Sequence, residues 1–161
     1  MQFSVQEADS QSSEALLLLQ EAALEARQVY PELFDPAAPS PTNRPTPPQG
    51  VYLVAFAHAQ PIGMGAHVPV SEEASEVKRI FVSRHARGEG VARAILERLE
   101  AHARAQGFTR LVLETGTRQL AAIRLYESSG FARITPFGSY ATDPTSLCFA
   151  KSLPRLHASD P

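Results

Sequence analysis

The stretch Ile80-Phe81-Val82-Ser83-Arg84-His85-Ala86-Arg87-Gly88-Glu89-Gly90-Val91-Ala92-Arg93-Ala94-Ile95-Leu96 decides how the rest of the chain is read. It opens on β-branched and aromatic residues that suit the end of a strand. From Val91 the apolar residues Ile95, Leu99 and Ala103 recur at every fourth position, with Ala92 and Leu96 beside them, until Gly107 closes a helix. Strand, basic turn, paired glycines and helix together turn a helix N-terminus into an anion site. Gly88 and Gly90 remove side chains so that backbone N–H groups can approach phosphate oxygens, and the helix dipole adds partial positive charge. Arg84, His85, Arg87 and Arg93 surround them. A P-loop would need Lys followed by Ser or Thr after its last glycine, and the dinucleotide fingerprint needs a third small residue where Arg93 stands.

Working outward, the strand expected over Glu76 to Val82 follows an apolar hairpin, Val51 to Ala57 and Ile62 to Val70, turned at Ala59-Gln60-Pro61. Before it, Phe3 and Val5 mark a short strand, and a helix runs from Glu14 to Val29 with Leu16, Leu19, Ala23 and Ala26 at helical spacing. Tyr30-Pro31 ends that helix. Residues 35–49 hold Pro36, Pro39, Pro41, Pro45, Pro47 and Pro48, so they form a loop, read either as a surface insertion or as a substrate lid. After the central helix come a strand at Leu111 to Glu114, a helix from Leu120 to Ser129 stopped by Gly130, and closing strands at Phe131 to Ile134 and Leu147 to Ala150. A meander followed by alternating strand and helix predicts an α/β (α+β) fold, a mixed, mostly antiparallel central sheet with helices on both faces.

The chain of 161 residues has the size of one domain, expected over 1–153, with 154–161 as a flexible tail. Its 43% hydrophobic and 20% charged residues are those of a folded globule. A formal net charge of -2 offers no global field to hold nucleic acid or an anionic membrane. Cys148 is the sole cysteine, so no intramolecular disulfide can form, and no Cys/His cluster has zinc spacing; no metal is expected. No apolar run reaches the roughly 20 residues of a membrane span, and residues 1–13 lack signal-peptide character, which leads us to expect a cytoplasmic protein.

Arg87-Gly88-Glu89-Gly90-Val91-Ala92 resembles the central Gln/Arg-x-x-Gly-x-Gly/Ala motif of the GNAT superfamily of N-acetyltransferases. The family's second signature, an Asn then Ala, Leu-Tyr and Gly-Phe, is similar to Gln119-Leu120-Ala121-Ala122-Ile123-Arg124-Leu125-Tyr126-Glu127-Ser128-Ser129-Gly130-Phe131, with Gln119 where Asn is usual. The resemblance covers Val51 to about Leu153. It implies that acetyl-CoA is the acyl donor, with its pyrophosphate on Arg87, Gly88, Glu89, Gly90, Val91, Ala92 and Arg93. It also implies that the pantetheine arm lies along the main chain of Ile80, Phe81 and Val82, with Gln119 offering an amide. Tyr126 matches the family's proton donor, and direct transfer needs a base, for which Glu76 and Glu114 are the candidates.

The implied acceptor is a primary amine on a small molecule, handled by a monomer or homodimer. The alternatives are a protein N-terminus or lysine as acceptor, or an acyl-CoA sensor without turnover. Cys148 reads as a buried spectator. Phe137, Gly138, Ser139 and Tyr140 form an aromatic loop that lines the acceptor pocket or closes the core.

Overall fold

The computed structural model describes residues 1–155, so residues 156–161 of the expected tail lie outside the described residues. The elements are β1 (Ser4–Glu7), α1 (Ser13–Val29), β2 (Val51–Ala57), β3 (Gln60–Pro69), β4 (Ala74–Val82), α2 (Val91–Ala105), β5 (Arg110–Gly116), α3 (Leu120–Ser128), β6 (Ala132–Ile134) and β7 (Ser146–Ser152). They form one seven-stranded sheet in the order β1-β2-β3-β4-β5-β7-β6. Every neighbouring pair is antiparallel except β4 with β5. The mixed, mostly antiparallel sheet expected from sequence is therefore present.

Helices cover both faces, and the cores show which. On one face, Val91, Ile95, Leu96 and Leu99 of α2 and Tyr126 of α3 pack on Leu53, Ile62, Val77, Leu111, Leu113 and Phe149. On the other face, Ala15, Leu18 and Leu19 of α1 pack on Tyr52, Val54, Met64 and Ala66. The sequence nominated Leu16, Leu19, Ala23 and Ala26 as the buried stripe of α1, and this needs correction. Of that set Leu19 is buried and Leu16 packs partly buried against the same core, while the small Ala23 and Ala26 line a groove described below.

Both ends of α1 are pinned. Ser12 caps its start, accepting from the Ala15 N–H at 3.2 Å. Tyr30 caps its end, and the Tyr30 hydroxyl accepts from the Arg118 N–H at 2.7 Å. Gly116 makes that contact possible, since a Cβ there would lie 2.1 Å from the Tyr30 oxygen. The proline-rich segment is anchored rather than loose at its far end. Asn43 is buried, and its amide donates to the Ser10 carbonyl at 2.8 Å and to the Tyr52 hydroxyl at 3.2 Å.

A buried polar chain crosses the α2 face. His67 on β3 is fully buried, with Nδ1 2.7 Å from the Ser75 hydroxyl and Nε2 2.8 Å from Nδ1 of His102 on α2. Burial, then the proximity of His102, holds the His67 imidazole down to about 4. The unfolded chain protonates this histidine near pH ~6.5, so it binds more protons than the folded state between those values. Stability is therefore complete above the unfolded pKa and is lost as pH falls towards 4. We expect thermal melts to show a loss on the order of 2 kcal/mol between pH 6.5 and 5 that His67→Gln flattens; an unchanged slope in the variant would assign the acid sensitivity to other groups.

Candidate active site

The parallel pairing of β4 with β5 runs from Ala74↔Arg110 to Val77↔Leu113 and stops there, although β4 continues to Val82 and β5 to Gly116. Beyond that point the two strands splay and leave unpaired backbone edges. Two adjoining cavities occupy the opening. One, of about 380 Å³, is lined by Ile80, Phe81, Val82, Arg87, Gly88, Gly90, Ala92, Arg93 and Gln119, among others. The second, of about 390 Å³, is lined by Leu19, Ala23, Ala26, Lys78, Arg79, Glu114, Gly116 and Tyr126, among others. Glu25, Ile80, Phe81, Gln119 and Ala122 belong to both, so the two form one groove that passes through the sheet at the splay.

At the first end, Gly88 and Gly90 have φ of 80° and 82°, the left-handed region that glycine tolerates best. A Cβ built on either meets no atom within 4 Å. Among the described residues, none of the backbone N–H groups from Gly88 to Arg93 donates to a main-chain or side-chain acceptor. This is a row of open donors at the start of a fifteen-residue helix, facing a cavity. The donor set and the open glycines fit a pyrophosphate.

The basic side chains divide. Arg87 is fixed by its Nε, which donates to the Val82 carbonyl at 2.9 Å, and its terminal nitrogens hold Glu25 of α1 at 2.8 and 2.6 Å. Hydrogen bonding to Arg87 keeps the Glu25 carboxyl below the usual carboxylate range. Arg93 donates to the Ser129 and Ser128 hydroxyls at 3.1 and 2.8 Å and lines the cavity. Arg84 is exposed and lies 3.5 Å from Glu25. His85 borders a different surface depression beside Leu17 and Leu24, outside the groove. The Glu89 carboxylate turns to the Met1 amine at 3.3 Å, and, contrary to the expectation from sequence, Glu89 does not line the groove as its neighbours Gly88 and Gly90 do.

At the second end the two candidate carboxylates separate. Both lie on the α1 side of the sheet. Glu76 is buried and accepts from the Tyr140 hydroxyl at 2.9 Å, with Lys78 3.9 Å away, and it does not line the groove. Glu114 does line it, and its Oε2 accepts from Ser146 at 2.6 Å while its other oxygen has no hydrogen-bond partner among the described residues. Burial pushes the Glu114 carboxyl up, against a smaller opposing effect of the Ser146 hydroxyl.

Tyr126 approaches from the opposite face. Its ring is wedged between Phe131 and Phe149 at 5.9 and 6.2 Å, and its hydroxyl has no hydrogen-bond partner among the described residues. Burial, and then the charge of Glu114, raise its pKa, so the phenol stays protonated. Gly130 and Phe131 explain themselves here: Gly130 stops α3 at φ 90°, the Phe131 N–H returns to the Tyr126 carbonyl at 3.0 Å, and Phe131 supplies one wall for the tyrosine.

The profile of the acetyltransferase (GNAT) family matches residues 17–131. The chain belongs to that family. An IAA acetyltransferase of Azospirillum brasilense is 45% identical to this GNAT chain over 104 residues, which is 63% of this chain and 67% of the relative. Human N-acetyltransferase 8 is 34% identical over 87 residues, 51% of this chain and 38% of the relative, so the match spans well under half of that protein. Among solved structures, an acyl-CoA N-acyltransferase fold from Klebsiella pneumoniae superposes with a TM-score of 0.76 at 31% identity, covering 94% of this chain and 97% of the other. A GNAT acetyltransferase of Elizabethkingia anophelis, solved with acetyl-CoA bound, superposes at 0.64 with 18% identity over 94% and 98% of the two chains, a likeness of fold.

Of the residues named from the GNAT motifs, the structure brings Ile80, Phe81, Val82, Arg87, Gly88, Gly90, Val91, Ala92, Arg93, Gln119, Glu114 and Tyr126 to one groove. Gln119 sits at the N-cap of α3 with no side-chain capping bond, so its amide is available to the groove. Sequence reasoning missed Glu25, which lines both cavities and neutralises Arg87. Its position in the helix showed only a polar residue, and its partner lies 62 residues away. Cys148 is buried and unpaired, with its thiol pushed up by burial, in keeping with a spectator.

If the open donors at Gly88 to Arg93 hold the cofactor's phosphates, Gly90→Asp fills the cradle with a negative side chain at a backbone angle that favours glycine. Calorimetric titration with CoA should show affinity falling by tenfold or more while the far-UV spectrum is retained. Equal affinity would remove the loop from cofactor binding.

Proposed function

We propose that the protein moves the acetyl group of acetyl-CoA directly to a primary amine of a small molecule. The observation that carries this is the single groove whose two ends hold complementary chemistry: open backbone donors with arginines at one, and Glu114 and Tyr126 from opposite faces of the sheet at the other. The phosphate end would hold the cofactor at Gly88 to Arg93. Its pantetheine arm would lie along Ile80 to Val82, where β4 has no β5 neighbour. That would put the thioester in the splay, beside the α3 tyrosine.

In this reading the incoming amine gives up a proton to Glu114 and attacks the thioester carbonyl. The C–N bond forms, the C–S bond breaks, and Tyr126 gives its phenolic proton to the departing thiolate. Neither residue forms a covalent bond to the acyl group. The raised pKa of Glu114 brings it nearer the operating pH of a base, and the raised pKa of Tyr126 keeps its proton in place until the sulfur needs it. Glu76, held by the Tyr140 hydroxyl outside the groove, has the positioning role of fixing the 137–140 loop, with Phe137 set edge-on to Tyr140 at 5.4 Å. Small Ala22, Ala23 and Ala26 on α1 widen the acceptor side.

Tyr126→Phe should lower kcat by about 10²-fold or more with CoA affinity nearly intact; unchanged turnover would take Tyr126 out of the proton-donor role. For the base, kcat/KM should fall as pH drops through the raised carboxyl pKa, since protonated Glu114 cannot accept. Glu114→Gln should abolish that acid limb as well as slow turnover, whereas a limb that persists in this variant and disappears in Glu76→Gln would reverse the assignment.

A further inference from the structure

Successive residues of a strand send their side chains to opposite faces of the sheet. Lys78 and Arg79 on β4 break that rule. The β3–β4 register passes from Met64↔Phe81 to Ala66↔Lys78, which places an extra residue on β4 between the pairs. Arg79 takes up the bulge with φ 65°, in the left-handed region that strains a residue with a Cβ. The result is that both cations line the same two cavities, the acceptor end of the groove and a neighbouring depression of about 620 Å³ under the proline-rich segment.

Their partners are few. Arg79 donates its Nε to Asn43 Oδ1 at 3.0 Å, and Asn43 is itself buried and held by Ser10 and Tyr52. That bond orients the guanidinium and leaves both terminal nitrogens without a hydrogen-bond or ion-pair partner among the described residues. Lys78 reaches Glu76 at 3.9 Å, beyond a hydrogen bond. Both side chains are exposed and line the same cavity, and the open terminal nitrogens of the oriented Arg79 guanidinium, with the Lys78 ammonium, suit a planar anion. Glu114 lies deeper in the same cavity, close enough that the Lys78 charge opposes its raised pKa.

We propose that the acceptor is an amino acid, whose amine faces Glu114 while its carboxylate is bound by Lys78 and the terminal nitrogens of Arg79. This rests on the amine-transfer reading above and names its substrate class. Anchoring the carboxylate fixes which end of the molecule enters the splay. The proline-rich segment then has a defined task, since Asn43 aims Arg79 and Pro41 closes the cavity wall.

The test compares matched pairs, each L-amino acid against its carboxamide, by release of CoA thiol from acetyl-CoA. The carboxamide keeps size and amine and loses the charge. We expect kcat/KM at least about tenfold higher for the best amino acid than for its amide, and Arg79→Gln and Lys78→Gln to collapse that ratio towards one, through KM rather than kcat. Thermal melts and CoA titration check that the variants fold and load. Amides used as well as or better than acids by the unaltered protein would overturn the amino-acid assignment and leave amine transfer standing. A wild-type preference that survives both substitutions would overturn the roles given to Lys78 and Arg79. Failure to acetylate either member of any pair would overturn the amine-transfer reading and this inference with it.

Discussion

The parallel ladder between β4 and β5 ends at Val77 and Leu113, and the groove exists because it ends there. Two strands that stay paired would present a closed sheet to both helical layers. By separating, they expose main-chain donors and acceptors in the centre of the molecule, where an unpaired backbone group is costly unless a ligand or water meets it. They also open the sheet from one face to the other. That is how Tyr126, packed with the α2-side core, and Glu114, on the α1 side, come to line one cavity.

Other features either hold the splay open or furnish it. Tyr30 braces the end of α1 against Gly116 and Arg118, so α1 stands over the groove without filling it. Ala22, Ala23 and Ala26 keep its inward face shallow. Glu25 provides the counter-charge for Arg87 from that same helix, which ties α1 to the loop before α2. In the proposed reading, an anion held at the loop would compete with Glu25 for the guanidinium, so cofactor and α1 would act on the same ion pair.

The bulge at Arg79 works at shorter range. Ordinary strand alternation would have pointed Arg79 into the α2-side core, where an unpaired guanidinium is untenable. The left-handed turn instead carries it to the cavity beside Lys78, and Asn43 holds it there. Strain at one residue is exchanged for an oriented guanidinium beside Lys78 at the mouth of the groove.

Much of this was legible in the sequence wherever the signal was local. Hydrophobic period and glycine stops located the strands and the helices, and the Arg87 to Arg93 loop pointed to the open backbone donors at the start of α2, because backbone preferences and helix dipoles act over a few residues. The same loop together with Tyr126 and Gly130-Phe131 was enough to indicate the family. What tertiary structure alone decided were the relations between distant residues. These include the insertion of β7 between β5 and β6, the end of pairing at Val77, and the direction of the bulge. Glu76 and Glu114 were indistinguishable as letters; Tyr140, 64 residues from Glu76, claims one and leaves the other facing the groove. Partners so far apart in the chain are chosen by how the sheet is ordered and where it opens, and no local pattern encodes that choice.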